Sequence, residues 1–240
     1  MANSYFDFKQ FRVEQELCGM KVSTDACIQG ALTAFFLKDK MPERLLDIGV
    51  GTGLLSLMIA QELPQVQVVG VDVDAGAVAQ TTANFEKAPF ENIVEIIQQD
   101  IFNWNDDSKF DAIISNPPFF KNHLQANEIQ RNTARHELGF TKDALAQQIY
   151  QRLSDEGFVS ILYPTTEWKE WMSAASKNGL YACLVIEVCP NERKGPNRMI
   201  GFFSKQSNVS LKQERLVIYQ APQVYTPAFI ELMQGYYASL

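Results

Sequence analysis

From residue 44 onward, short apolar runs alternate with segments whose apolar residues recur every three or four positions, the rhythm of strands and helices laid down in turn. Leu45, Leu46 and Ile48 read as a buried strand, and Leu54, Leu55, Leu57, Met58 and Ile59 as the buried side of the helix after it. The same alternation predicts strands over 66–72, 93–97, 110–115 and 158–163, and helices over 75–87, 142–153 and 165–177. Strands over 180–189 and 199–204 are joined by a turn, so the sheet ends in an antiparallel hairpin and is mixed. Ahead of this block, Phe6, Phe8, Phe11 and Val13 alternate with Asp7, Lys9 and Arg12, which predicts a short strand or hairpin. An apolar helix over roughly 25–37 follows, with Thr24 or Asp25 as its cap. Past residue 204, Leu211, Leu216, Val217, Ile218 and Tyr219 belong to a tail without a further motif. The pattern is that of an α/β fold with helices on both faces of the sheet.

Composition narrows this picture without changing it. With 240 residues, 46% hydrophobic and 20% charged, the chain has enough material for a full α/β core. No repeat or linker divides it, so the expectation is one domain over 1–240 in which 1–40 forms a strand and helix lid over the site. No apolar run approaches a membrane span and residues 1–12 lack the apolar core of a signal peptide, which predicts a cytoplasmic protein. Cys18, Cys27, Cys183 and Cys189 form no CxxC pair and there are only two histidines, His123 and His136, so reduced, buried thiols and no metal are expected. A net charge of −7 argues against a uniformly basic nucleic-acid surface but leaves room for a local basic face.

Candidate chemistry begins at the first strand-to-helix turn, Gly49-Val-Gly51-Thr-Gly53, preceded by Asp47. Glycines there allow positive φ and close approach of a ligand to the unpaired N–H groups of a helix start. The spacing departs from the dinucleotide pattern G-x-G-x-x-G. It resembles instead the first motif of the S-adenosylmethionine-dependent methyltransferases, and that resemblance implies that Asp47, Gly49, Gly51 and Gly53 line the cofactor site. Asp72 ends the next strand about 20 residues on, where an acid accepts hydrogen bonds from a ribose diol; Asp74 competes for this place, with a helix cap as its simpler role. The strand over 93–97 leads to Asp100 and Ile101, whose carboxylate and N–H are suited to an adenine; in the methyltransferase resemblance Asp100 has this role.

The second signal is Asn116-Pro117-Pro118-Phe119-Phe120, which runs directly from the strand over 110–115. Two prolines fix φ and keep Asn116 out of helical conformation, so its side chain and the neighbouring carbonyls point outward. An exocyclic amino group on a purine has its lone pair delocalised and is a weak nucleophile. Hydrogen bonds accepted from it by the Asn116 amide oxygen and the Pro117 carbonyl favour a tetrahedral nitrogen and stabilise the charge that develops on it. Phe119 is then placed to stack on a flipped base, with loop anchoring in the core as its alternative and the more natural role of Phe120.

Arg131 and Arg135 share a helix face in the polar segment 121–141, suited to phosphate or simply solvated. Arg193, Lys194 and Arg198 make the 190–198 turn the densest basic cluster, and Lys9 and Arg12 add two cations near the start. These seven are the candidate RNA contacts. Over nearly its full length the chain resembles the bacterial tRNA adenine-N6 methyltransferases that modify the adenosine beside the anticodon of a valine tRNA. The likeness rests on Phe8-Lys9-Gln10-Phe11, Met20-Lys21-Val22 with Thr24-Asp25, the glycine loop, Asn-Pro-Pro-Phe and Arg131-Asn-Thr-Ala-Arg135-His136. Ser23 departs from the small residue, such as Gly, of the family pattern. The resemblance implies a Rossmann-like class I methyltransferase with a seven-stranded mixed sheet, S-adenosylmethionine as cofactor, tRNA as partner and no obligate protein partner. Lys21 is a candidate for the cofactor carboxylate, or only part of a capped lid. Asn116, Pro117 and Phe119 would carry the reaction, with Asn116 also touching the cofactor. The same machinery serves guanine N2 in ribosomal RNA, adenine N6 in DNA or a protein glutamine; a non-catalytic RNA-binding module and an NAD oxidoreductase are the alternatives of other classes.

Overall fold

The computed structural model describes residues 3–118 and 141–240. In chain order these form β1 (Tyr5–Asp7), β2 (Arg12–Glu14), α1 (Thr24–Lys38), β3 (Arg44–Ile48), α2 (Leu54–Glu62), β4 (Gln67–Asp72), α3 (Ala75–Lys87), β5 (Val94–Gln98) and β6 (Phe110–Ser115). After the undescribed stretch come α4 (Lys142–Arg152), β7 (Leu153–Pro164), α5 (Thr165–Lys177), β8 (Tyr181–Asn191), β9 (Arg198–Ser204), β10 (Lys212–Ala221), β11 (Val224–Tyr225) and α6 (Pro227–Met233).

Period-two burial builds the central sheet. Neighbouring Leu45 and Leu46 on β3 are both fully buried because they face opposite sides, Leu45 toward α1 and α2 and Leu46 toward α4 and α5. A core therefore lies on each face. The first holds Cys27, Ile28, Leu57, Met58 and Phe202; the second holds Leu145, Ile149, Tyr163 and Trp171. Burial of side chains this large contributes about 1.5–3 kcal/mol each before entropy is counted.

Strand order in the main sheet is β11-β10-β8-β9-β7-β6-β3-β4-β5. From β5 to β7 all pairings are parallel, whereas β9 is antiparallel to both β7 and β8. Chain direction across the sheet reverses between β3 and β6, the position at which open α/β sheets open a crevice outside the carboxyl ends of their strands. The β8–β9 hairpin lies where the sequence predicts it. Among the described residues nine strands form the main sheet where seven are expected, because the tail supplies β10, parallel to β8, and the short β11. A separate two-stranded sheet, β1 with β2, packs on α3 and is bridged by Phe8 to Tyr237.

Helix starts are set by side chains. Ser23, not Thr24 or Asp25, caps α1 by accepting from the Ala26 N–H at 3.3 Å, while Asp25 falls in the first turn. Asp74 caps α3 through Gly76, Thr141 caps α4 through Ala144, and Thr226 caps α6 through Phe229.

Candidate active site

The carboxyl ends of β3, β4 and β6 and the segment after β5 surround one cavity of about 340 Å³, within the size range of small-molecule sites. Among the described residues its walls come from the stretches 18–22, 48–52, 71–74, 99–102 and 115–118, together with Ala26, Leu54, Leu55 and Ala77. Gly49, Val50, Gly51 and Thr52 form its floor. Gly49, Gly51 and Gly53 have φ of +76°, +56° and +78°, a region that side-chain-bearing residues avoid. A Cβ on Gly49 would meet nothing within 4 Å and one on Gly51 only the Gly49 carbonyl at 3.9 Å, so these glycines leave open space above the backbone. At Gly53 a Cβ would instead lie 2.8 Å from Thr81 Cγ2, which makes this glycine a packing requirement of α2 on α3.

The loop is held from several directions. Gly49 and Val50 N–H groups both donate to the Val71 carbonyl, Gly51 N–H donates to Asp72 Oδ2 at 3.0 Å, and Thr81 Oγ1 donates to the Gly51 carbonyl at 2.7 Å. Asp72 accepts on its other oxygen from the Asp74 N–H at 3.0 Å, so it braces the loop as well as facing the cavity. Asp74 also faces the cavity and at the same time caps α3. Asp100 accepts from the Phe102 N–H and from Asn103 Nδ2, and together with Ile101 it lines the wall after β5.

Asp47 lies elsewhere than its place in the glycine motif implies. It is fully buried beneath the loop, where Ser56 Oγ donates to its Oδ2 at 2.7 Å and its Oδ1 has no partner. Burial, with a smaller push from Asp72, raises its carboxyl to about 7 against the opposing pull of the Ser56 hydrogen bond.

Asn116 and Pro117 sit on the cavity wall at the end of β6. Ser115, the residue before them, donates through Oγ to the Ile48 carbonyl at 2.8 Å and accepts on its carbonyl from Gln29 Nε2 at 2.9 Å. Asn116 thus starts from a fixed peptide. Its side-chain oxygen is buried and lacks a hydrogen-bond partner among the described residues, the state in which a donor on a ligand completes the site. Lys21 lines the rim and donates to the Gln15 carbonyl. Phe119, Arg131 and Arg135 lie outside the described residues.

Among the other basic candidates, Arg193 and Lys194 are exposed in the β8–β9 turn. The antiparallel register that sets Arg198 opposite Pro164 puts this turn at the same sheet edge as the cavity. Arg198 is bound to Asp25 at 2.8 Å and ties the turn to the start of α1. Lys9 donates to the Gln234 carbonyl, and Arg12 pairs with Asp7 at 2.6 Å and lies over the Tyr5 ring; neither lines the cavity. Met20, part of the Met20-Lys21-Val22 stretch, lines it too, as do Cys18, Val73, Gln99 and Phe102, whose signal in the sequence is adjacency to candidate residues Lys21, Asp72 and Asp100. Burial, followed by Asp72 and Asp74, pushes the Cys18 thiol up to about 11, which keeps it unreactive. No group of His, Cys, Asp and Glu among the described residues is arranged to hold a metal ion.

The arrangement is an open backbone cradle for an extended ligand, acids along one wall and an unpartnered amide oxygen at the far end. Residues 29–139 match the family model described as methyltransferase small domain. The chain is 35% identical over 241 residues to a tRNA1(Val) (adenine(37)-N6)-methyltransferase of Bacteroides thetaiotaomicron, with all of both chains covered. It is 37% identical over 238 residues to the protein of that name from Pseudoalteromonas translucida, covering 99% of this chain and 100% of the other. Among solved structures, a predicted O-methyltransferase of Agrobacterium tumefaciens superposes with a TM-score of 0.69 at 18% identity over 88% of this chain and 96% of that one, a likeness of fold.

Proposed function

We infer the reaction from a premise of kinship: the chain belongs to the tRNA1(Val) (adenine(37)-N6)-methyltransferase family. It is an S-adenosylmethionine-dependent methyltransferase whose substrate is the N6 amino group of adenosine 37 in that tRNA. What carries this reading to individual residues is the buried Asn116 Oδ1, which has no partner among the described residues although Asn116 stands at a cavity floored by open glycines.

Bound S-adenosylmethionine supplies an electrophilic methyl group. Gly49 and Gly51 would hold its backbone-facing side, Asp72 its ribose, Asp100 and Ile101 its adenine, and Lys21 its carboxylate, while Gly53, which does not line the cavity, and Asp47 support the loop from behind. Asn116 Oδ1 and the Pro117 carbonyl accept from the N6 amino group of the target adenosine. In doing so they draw the nitrogen lone pair out of the purine and stabilise the positive charge growing on nitrogen. The methylated nitrogen is acidic enough to release its extra proton to water, so no side-chain base is required. Phe119 stacks on the flipped base. Arg131, Arg135, Arg193 and Lys194 meet tRNA phosphates; Lys9, Arg12 and Arg198 have the chemistry for this, but their existing partners make them the weaker members of the set.

Residues 1–240 act as one methyltransferase domain, with 1–40 as its strand and helix lid. The setting is the cytoplasm, with tRNA as the macromolecular partner and no obligate protein partner. Among the described residues no helix is long and apolar enough to cross a membrane.

Labelled methyl transfer from S-adenosylmethionine to unmodified bulk tRNA, ribosomal RNA, duplex DNA and protein, followed by nucleoside analysis, tests the reading. N6-methyladenosine in tRNA alone is the expected result. Label in another lane would replace the substrate, and cofactor binding without label anywhere would favour a non-catalytic RNA-binding protein.

A further inference from the structure

The stretch from Glu14 to Val22 closes one side of the S-adenosylmethionine cavity; buried Gln15 ties its two ends together, accepting from the Val22 N–H at 2.8 Å and from Lys21 Nζ, but these bonds do not join it to the glycine loop. β1 and β2 are three residues each, too short for a hairpin to be stable alone. Residues 15–22 have no regular structure and place Cys18, Gly19, Met20, Lys21 and Val22 on the cavity wall. The contacts that join them to the rest of the cavity come from α3. Asn84, fully buried, accepts on Oδ1 from the Glu14 N–H at 3.0 Å and donates through Nδ2 to the Glu14 carbonyl at 2.8 Å. The same Nδ2 also donates to the Thr52 carbonyl of the glycine loop at 2.9 Å. One helical turn earlier Gln80 accepts from the Leu17 N–H at 3.1 Å, and the backbone approaches so closely that a Cβ on Gly76 would lie 2.8 Å from the Leu17 carbonyl. Neither Asn84 nor Gln80 lines the cavity.

A buried primary amide with both ends satisfied by backbone from two separate segments fixes those segments relative to each other. We propose that Asn84 is a positioning residue that fastens the 14–22 strap to the glycine loop, so that closure of the S-adenosylmethionine cavity depends on an α3 side chain outside it. Gln80 holds the middle of the same strap. Thr81, between them, donates to the Gly51 carbonyl of the loop. The three neighbours therefore separate the functions: Gln80 the strap, Thr81 the loop, Asn84 both. The inference rests on the reading that this cavity holds the cofactor.

The test uses the full chain and S-adenosylhomocysteine, with dissociation followed by stopped flow and backbone hydrogen exchange followed over 14–22 in the ligand-free protein. Asn84→Ala is expected to speed both strap exchange and ligand dissociation, the latter about 10-fold for the loss of such hydrogen bonds. Gln80→Leu should do the same to a smaller extent without touching the glycine loop, and it carries the test if Asn84→Ala fails to fold. Thr81→Val should leave strap exchange unchanged. Unchanged strap exchange and unchanged dissociation in folded Asn84→Ala or Gln80→Leu would overturn the proposal, as would faster dissociation with an unaltered strap. A wild-type chain that does not bind S-adenosylhomocysteine would instead remove the cofactor reading, while hydrogen exchange would still decide whether α3 fastens the strap.

Discussion

Asn116 Oδ1 and Asp47 Oδ1 are buried side-chain oxygens at and beneath the site that have no hydrogen-bond partner among the described residues. The first lies at the cavity wall and is an acceptor in wait of a donor. Asn116→Ala should leave S-adenosylhomocysteine affinity nearly intact in a titration and lower single-turnover methyl transfer about 10²–10³-fold, the size of loss found when one transition-state hydrogen bond is removed. Equal turnover by the variant would refute its role. The second oxygen lies below the glycine loop, out of reach of the cavity. Its carboxyl is raised from 3.8 to about 7 by burial, so between those values the folded chain binds a proton that the unfolded chain does not. Stability contributed by the protonated form is then complete at low pH and lost as pH rises through about 7. Ligand-free protein should lose melting temperature from pH 5 to pH 8, and Asp47→Asn should flatten that decline. A steeper decline in the variant would contradict this account.

Among elements, the glycine loop and α2 show how local sequence can specify geometry. Gly53 is the N-cap of α2 in left-handed conformation, with Thr81 packed where a Cβ would go. Gly53→Ala should cost about 1–3 kcal/mol in urea unfolding through backbone strain and overpacking, and it should weaken cofactor binding because Thr81 also holds the Gly51 carbonyl. The strand and helix rhythm from β3 to β9 was legible because strands buried on both faces become continuous apolar runs, as Leu45 and Leu46 do. β10 was not. Its first four residues, Lys212 to Arg215, are exposed, and its identity as a strand comes from parallel pairing with β8, a contact that has no local signature. Ser23, Thr24 and Asp25 are all capping types, and only the side chain that reaches Ala26 decides among them. The cradle and Asn116 were legible from motif and spacing. The roles of Asp25 with Arg198 and of Asn84 with Glu14 were hidden, since a compensating charge or a buried amide bond joins positions far apart in sequence.

For the whole molecule, a net charge of −7 must coexist with a polyanionic substrate. Arg193 and Lys194 stand exposed at the same sheet edge as the cavity, so attraction to phosphate can be local while the rest of the surface is acidic. Arg193→Ala with Lys194→Ala should raise the KM for tRNA several-fold at low salt, leave cofactor affinity alone and make the salt dependence of KM shallower. Equal KM and equal salt slope would move the RNA face elsewhere. Phe8 is bridged to Tyr237, and Lys9 N–H donates to the Tyr236 carbonyl, so the hairpin that leads into the strap is anchored by residues from the opposite end of the numbering. A ribosome emits Tyr237 well after Phe8: a separation of 229 positions (237 minus 8) takes roughly 10 to 45 s at about 5–20 residues per second. Through most of that interval the cover can be held only by α3, through Asn84 and Gln80, and its hairpin gains its second anchor only when the last residues emerge.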